Sequence, residues 1–225
     1  MRGLRVPVWG QVALIGVVVV ALLYALGAAR PLAPRALDGD RLGPEPGQDV
    51  AEYVATAGQS LRAAPATGPR WALVSFAAEW TTSQVWERIG ADLADRVRIG
   101  RLLMRVPVPR VQTPTVPVAP GQSAAGLDAA NVLAALEAPS LVAPGERGTA
   151  IGSVSATRFR ARAASVVGVV VYGTGEDLRT LGGAHGVRAV QVMPDGSGRF
   201  GLTPLLPEFG VRATPGPDDG PVPSR

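Results

Sequence analysis

Few residues in this chain could do chemistry, and composition removes most of what they could do. All 22 basic residues are arginine, lysine and cysteine are absent, and His185 is the single histidine. Without cysteine there is no thiolate nucleophile, disulfide, thiolate zinc site or c-type haem attachment, and one histidine cannot build a multi-histidine metal centre. Without lysine there is no Schiff-base catalysis and no Walker P-loop. A Ser–His nucleophile would have to use His185, which sits among glycines after a helix end with neither a G-x-S-x-G elbow nor a positioned acid. A histidine there suits the helix dipole better than it suits catalysis.

The carboxylates are scattered. Asp38/Asp40 and Asp218/Asp219 fall in Pro/Gly-rich flanks, where a dyad is not held in register for acid–base work. Asp195-Gly196-Ser197-Gly198 reads as a turn, with too few acids for a calcium loop. Gly173-Thr174-Gly175 follows a strand and opens a helix, and Asp195 comes about 20 residues later, which is the layout of a dinucleotide fingerprint. The third glycine position is Leu178, however, and Glu176 and Asp177 occupy the turn where pyrophosphate would sit. Gly173–Gly175 is therefore expected to be a capped turn, and no cofactor and no metal are expected.

What remains is binding. Arg158, Arg160 and Arg162 alternate with Phe159 and Ala161, and Trp71, Trp80 and Trp86 cluster around one strand and helix. The arginines fit an anionic-lipid or partner-binding strip, against the plainer reading of a solvated face leading into a strand. Trp80 and Trp86 fit a protein interface, against core or rim packing. These five residues are the candidate partner-binding set.

The elements that would position them are legible in part. Asp49 with Glu52 opens an amphipathic helix carrying Val50, Val54, Ala57 and Leu61. A strand over Trp71–Phe76 precedes a helix capped by Thr81 with Gln84 and striped by Val85, Ile89 and Leu93, and a strand over Val97–Val106 carries Arg98, Arg101 and Arg105. The plan then repeats: a strand over Val166–Tyr172, a short helix capped by Thr174 with Asp177 and closed by Gly182-Gly183, and a strand over Val187–Met193. Between the halves, Leu127–Ala138 reads as an Ala-rich helix. A duplicated strand–helix–strand predicts an α+β fold, a ferredoxin-like (split βαβ) sandwich with extra helices. Strands one and three, which lack charge, should be central, and the arginine-bearing strands two and four should be edges. The first helix and the Pro-rich insert near 107–122 are additions that could cover the sheet's other face.

Ahead of this domain, Val6–Ala29 is an almost unbroken apolar run, long enough to cross a bilayer and longer than the core of a cleaved signal peptide. The expected organisation is a short cytoplasmic tail at 1–7, a transmembrane helix at 8–29 and a Pro-rich stalk at 30–47. An extracytoplasmic domain follows at 48–213, then a disordered tail at 214–225. Arginine counting does not decide orientation, so the inside N-terminus rests on the short preceding tail. The sequence pI is about 10.5, but beyond residue 29 there are 20 arginines against 18 acids. No phosphate-neutralising stripe is visible, and no nucleic-acid partner is expected.

The stretch Val167–Val171 through Glu176–Leu181 to Gly186–Val190 resembles the second half of subtilisin-type propeptide and inhibitor domains, in which a strand, a leucine-paired helix and a "GV-x-x-V" strand close a ferredoxin-like fold. That resemblance implies a ferredoxin-like fold and, by extension, a protease-inhibitor or chaperone module. The anchor, the Ala72–Phe76 strand, the Gly186–Pro194 strand and the Thr203–Glu208 exit are similar to those of uncharacterised single-span membrane proteins of GC-rich bacteria, which implies no activity. The expectation from these readings is no enzyme. It is a single-pass cell-membrane protein whose outer domain binds an envelope protein or another copy of itself.

Overall fold

The computed structural model describes residues 41–93, 96–194 and 201–224. The expected membrane helix at 8–29 and its short tail lie outside them, as does most of the stalk. Among the described residues no helix is long and apolar enough to cross a membrane. In chain order the elements begin with β1 (Arg41–Leu42), α1 (Val50–Ala63) and β2 (Arg70–Trp80). α2 starts as Thr82–Val85, widens into a π-helical turn over Trp86–Gly90 and ends at Ala91–Leu93. β3 (Arg98–Met104), β4 (Val116–Val118), α3 (Ala124–Glu137), α4 (Glu146–Arg160) and β5 (Val166–Gly173) follow. α5 (Gly175–Gly182), β6 (Val187–Val192) and β7 (Gly201–Leu202) complete the set.

The helix starts follow local chemistry. Asp49 accepts from the amides of Ala51 and Glu52, Thr81 and Gln84 form a reciprocal capping box, and Thr174 accepts from Asp177. Each satisfies amides that the first turn leaves without an intrahelical partner.

The protein is α+β. Its main sheet has the order β6-β2-β5-β3-β4 with every neighbouring pair antiparallel, an arrangement compatible with a split βαβ plan. β2 and β5 are central, as expected from their uncharged runs. β3 is not an edge, which corrects the expectation for that strand. The Pro-rich insert supplies β4, which pairs Leu102–Met104 with Val116–Val118 and lengthens the sheet rather than covering a face. Pro117 is tolerated because β4 is the outer strand. Where β4 stops, the Gln122 side-chain amide stands in for a strand, accepting from the Ile99 amide at 3.0 Å and donating to the Ile99 carbonyl at 2.7 Å. At the opposite edge Ser60 of α1 accepts from the Val192 amide at 2.9 Å. These side chains take up part of the backbone hydrogen bonding at each end of the sheet.

Alternation along β2 divides the core. Ala72, Val74 and Phe76 face Val85 and Ile89 of α2, Leu127 and Ala134 of α3, Phe159 of α4 and Leu178 of α5. Leu73 faces the other way, toward Val50, Tyr53 and Ala57 of α1 and toward Leu205, Leu206, Phe209 and Ala213. α1 therefore covers the second face, as expected, and shares it with the C-terminal segment. Burial pushes the Tyr53 hydroxyl well above the ordinary tyrosine range, and that hydroxyl donates to Gln191.

α4 was not legible in the sequence. Gly148, Thr149, Gly152, Ser153 and Ser155 weaken its intrinsic helicity, but packing against the segment after α3 selects the helix. A Cβ on Gly152 would come within 3.0 Å of the Pro139 Cα, so this glycine sets how closely the two approach.

The segment expected to trail off as a disordered tail is instead tied down over residues 214–224. Arg147 donates to the Asp218 carboxylate at 2.9 Å and to the Gly220 carbonyl at 3.0 Å. Asp218 also accepts from the Gln112 amide at 2.9 Å, Gly220 donates to the Arg110 carbonyl at 2.8 Å, and Arg110 pairs with Asp219. A Pro/Gly-rich strand with no ladder of its own is ordered when its polar groups find partners on another segment.

That clasp makes a pH prediction. The Arg147 guanidinium, followed by the Gln112 amide, holds the Asp218 carboxyl below its usual range. A carboxylate with a depressed folded pKa contributes fully above the unfolded value of about 3.9, and the contribution is lost as pH falls through the folded value. Amide-exchange protection at Gly220 should therefore fall in acid while protection in β5 persists, and Asp218→Asn should loosen Gly220 already at neutral pH. Uniform protection of Gly220 from pH 6 to pH 3 would sink the idea.

Candidate functional site

Ser123 caps α3 by accepting from the Gly126 amide at 3.0 Å. The inner side of the helix buries Leu127, Ala130, Ala134 and Ala135. Buried Asn131 donates to Thr82 at 3.0 Å, which ties α3 to the start of α2. These contacts fix the helix rotation, and they leave a second apolar side in solvent. Val132 is 55% exposed, Leu133 49% and Leu136 67%, with Leu141 at 43% just beyond the helix. At about 100° per residue, Ala125, Ala129, Val132 and Leu136 fall within an arc of about 60° opposite the core. Ala125 and Ala129 are exposed as well. Single exposed apolar residues are ordinary, whereas here several share one side of one helix.

One flank of this stripe is polar and fixed. Arg162 donates to both carboxylate oxygens of Asp128, from Nε at 2.6 Å and Nη2 at 2.8 Å. Arg162 is positioned by the end of α4, where the Ala163 amide reaches the Arg158 carbonyl at 3.1 Å and the Arg162 amide reaches Phe159 at 2.9 Å. This is a Schellman closure, with Arg162 at φ 55° in the left-handed position usually given to glycine. The guanidinium beside it holds the Asp128 carboxyl below the usual range.

The structure disperses the residues singled out from sequence. Arg158, Arg160 and Arg162 form no common strip, because Arg158 and Arg160 point about 200° apart on α4 and Arg162 lies beyond its end in the left-handed position. Arg158 donates to the Pro107 carbonyl at 2.8 Å, Arg160 is exposed, and only Arg162 borders the α3 stripe. Trp80 is core, 4% exposed and stacked on Phe76 at 3.9 Å, with Arg88 4.7 Å from its ring. It offers no surface to a partner, which corrects its place in the candidate set. Trp86 is half-buried against Gly90. Trp71 packs on Tyr172 at 4.9 Å and lies over Gly100, where a Cβ would come within 2.4 Å of the indole.

His185 is exposed in the turn between α5 and β6. Gly173–Gly175 forms the capped turn, and buried Asp177 there accepts from Thr174 at 2.5 Å and pairs with Arg96 at 3.4 Å. Asp38, Asp40 and Asp195–Gly198 lie outside the described residues. Among the described residues no group of three or more His, Asp or Glu side chains could hold a metal ion. A cleft of about 300 Å³ separates the Pro107–Gln112 turn from Glu208, Gly216 and Pro217, with Glu79 and Arg105 also lining it. Prolines and valines make up much of its wall, and Arg105 pairs with Glu208 across it.

No family model matches this chain, and no curated protein or solved structure matches it either. The surface itself must carry the functional argument. Sequence reasoning missed the outer side of α3, although the signal was present. A helix with Asp128 and Glu137 as its only charges has apolar residues on nearly every side, and such a helix is covered on more than one side.

Proposed function

We propose that this protein is a non-enzymatic protein-interaction module of ferredoxin-like architecture. Residues 8–29 hold it in the cell membrane, and its domain stands outside the cytoplasm. The observation that carries the reading is the exposed apolar stripe of α3, Val132, Leu133 and Leu136, on a helix whose opposite side is fully packed. Desolvating such a stripe against a protein surface is favourable by roughly 25 cal/mol per Å² before the costs of association. The order β6-β2-β5-β3 supports the ferredoxin-like reading, since strands one and three lie between strands four and two.

A propeptide-like inhibitor would need an open sheet face or a free terminal strand to meet a protease. Here α1 and residues 205–213 lie on that face, and residues 214–224 are tied to the 110–112 turn and Arg147. The α3 stripe is the better-supported contact.

A photo-crosslinking side chain at Leu133 of the full chain, expressed in cells, tests this. The expected result is a discrete protein adduct, absent when the same group is placed at exposed Thr180. Equal, diffuse labelling from both positions would remove α3 as a docking surface.

A further inference from the structure

We infer that the α3 stripe pairs with the same stripe of a second copy of this chain, the two helices running antiparallel about a two-fold axis. This rests on α3 being the docking surface and names its partner. The order of side-chain sizes carries the argument. Along the stripe the first half is small, Ala125 and Ala129, and the second half is large, Val132 and Leu136, flanked by Leu133. In an antiparallel pair Ala125 lies opposite Leu136 of the other copy, and Ala129 opposite Val132. Each large residue then meets a small one, which is how facing helices interdigitate without gaps. Parallel pairing would set Leu136 against Leu136 and alanine against alanine, leaving the helices splayed at one end. A partner of unrelated sequence would place no such requirement on the size order.

Charge agrees with the same arrangement. A two-fold contact brings identical patches together, so any charge within the patch meets its own sign. The stripe has none, and the acid on its flank, Asp128, is already held at both carboxylate oxygens by Arg162. Helix α3 has 14 residues, a length of about 21 Å. One helix pair of that length buries less than the roughly 800 Å² per partner of a standard stable interface. Association is therefore weak between free domains and strengthened where both chains share a membrane, which raises their effective concentration.

The native chain lacks cysteine, so introduced thiols report without background. Full-length chains carrying Ala129→Cys and Val132→Cys, separately tagged and co-expressed, should form a mixed disulfide on mild oxidation. Ala125→Cys with Leu136→Cys should do the same, whereas Leu136→Cys with itself should not, because the two residues lie about 16 Å apart along the pair. Adding Leu136→Glu to the Ala129→Cys and Val132→Cys chains should lower the mixed disulfide about tenfold or more, since a carboxylate would be buried without a partner. Crosslinking of Leu136→Cys to itself in place of the mixed pairs would overturn the antiparallel arrangement. If no self-crosslink forms while Leu133 photo-crosslinks a different protein, the second-copy inference fails and the docking surface stands. If neither experiment captures anything, both fail.

Discussion

Phe76→Ala is expected to destabilise the domain by about 3–5 kcal/mol. Phe76 is fully buried on central strand β2 and stacks on Trp80 at 3.9 Å with ring planes 9° apart. Truncation removes the transfer free energy of the ring and leaves a cavity in the core that Phe76 shares with Val85 and Ile89 of α2 and Phe159 of α4. The surrounding layers cannot collapse together, because β2 is pinned on both sides by β5 and β6. Against a total stability of about 5–15 kcal/mol, such a loss should lower the thermal midpoint by roughly 6–20 °C. Urea denaturation should show a reduced midpoint with an unchanged slope. A change below about 1 kcal/mol would mean that this face of the sheet is not close-packed. Leu136→Glu serves as the contrasting surface change in the monomer, where an effect within about 0.5 kcal/mol is expected.

The second large effect belongs to Arg188. Its guanidinium, on edge strand β6, donates to the carbonyls of Leu206 at 2.9 Å and Phe209 at 2.6 Å, with Pro207 at 3.4 Å. These bonds hold the segment that buries Leu205, Leu206 and Phe209 on the second sheet face. Leu205 is further held by its amide, which donates to buried Ser75 at 3.1 Å. Arg188→Met keeps most of the side-chain length but leaves the carbonyls without their charged donor. A hydrogen bond to a charged group contributes about 1.5–3 kcal/mol, so a net loss of about 2–4 kcal/mol is expected. The change should appear locally first, as protease cleavage after residue 202 in a chain whose β2–β5 pairing still resists exchange. If cleavage is no faster than in the parent, the apolar contacts alone hold this segment and the guanidinium is incidental.

How much was legible follows from how local each determinant is. The caps at Asp49, Thr81 and Thr174 were read correctly because each bond spans three residues or fewer. The central position of β2 and β5 followed from runs without charge, which only a doubly covered strand tolerates. Arg158, Arg160 and Arg162 look like one strip in sequence because they alternate, whereas α4 and its Schellman closure point them apart. Trp80 could be assigned to core or surface only by its neighbour, and Phe76 lies four residues back on the same strand across a register shift. β4 was hidden because three residues around a proline carry almost no strand signal.

Composition and short-range pattern by themselves determined which chemistries this chain cannot perform, where most helices start, and the duplicated strand–helix–strand plan, since none of these needs distant residues. Tertiary structure alone decided that the Pro-rich insert lengthens the sheet and that residues 214–224 dock on the 110–112 turn and Arg147. It also decided that α3 turns one apolar side inward and leaves the other in solvent. Each of these depends on contacts such as Asp218 with Gln112, 106 residues apart, or Asn131 with Thr82, 49 apart. The free energy of such contacts appears only once the chain between them has been ordered, and no local pattern records which of two equally apolar helix sides will be covered.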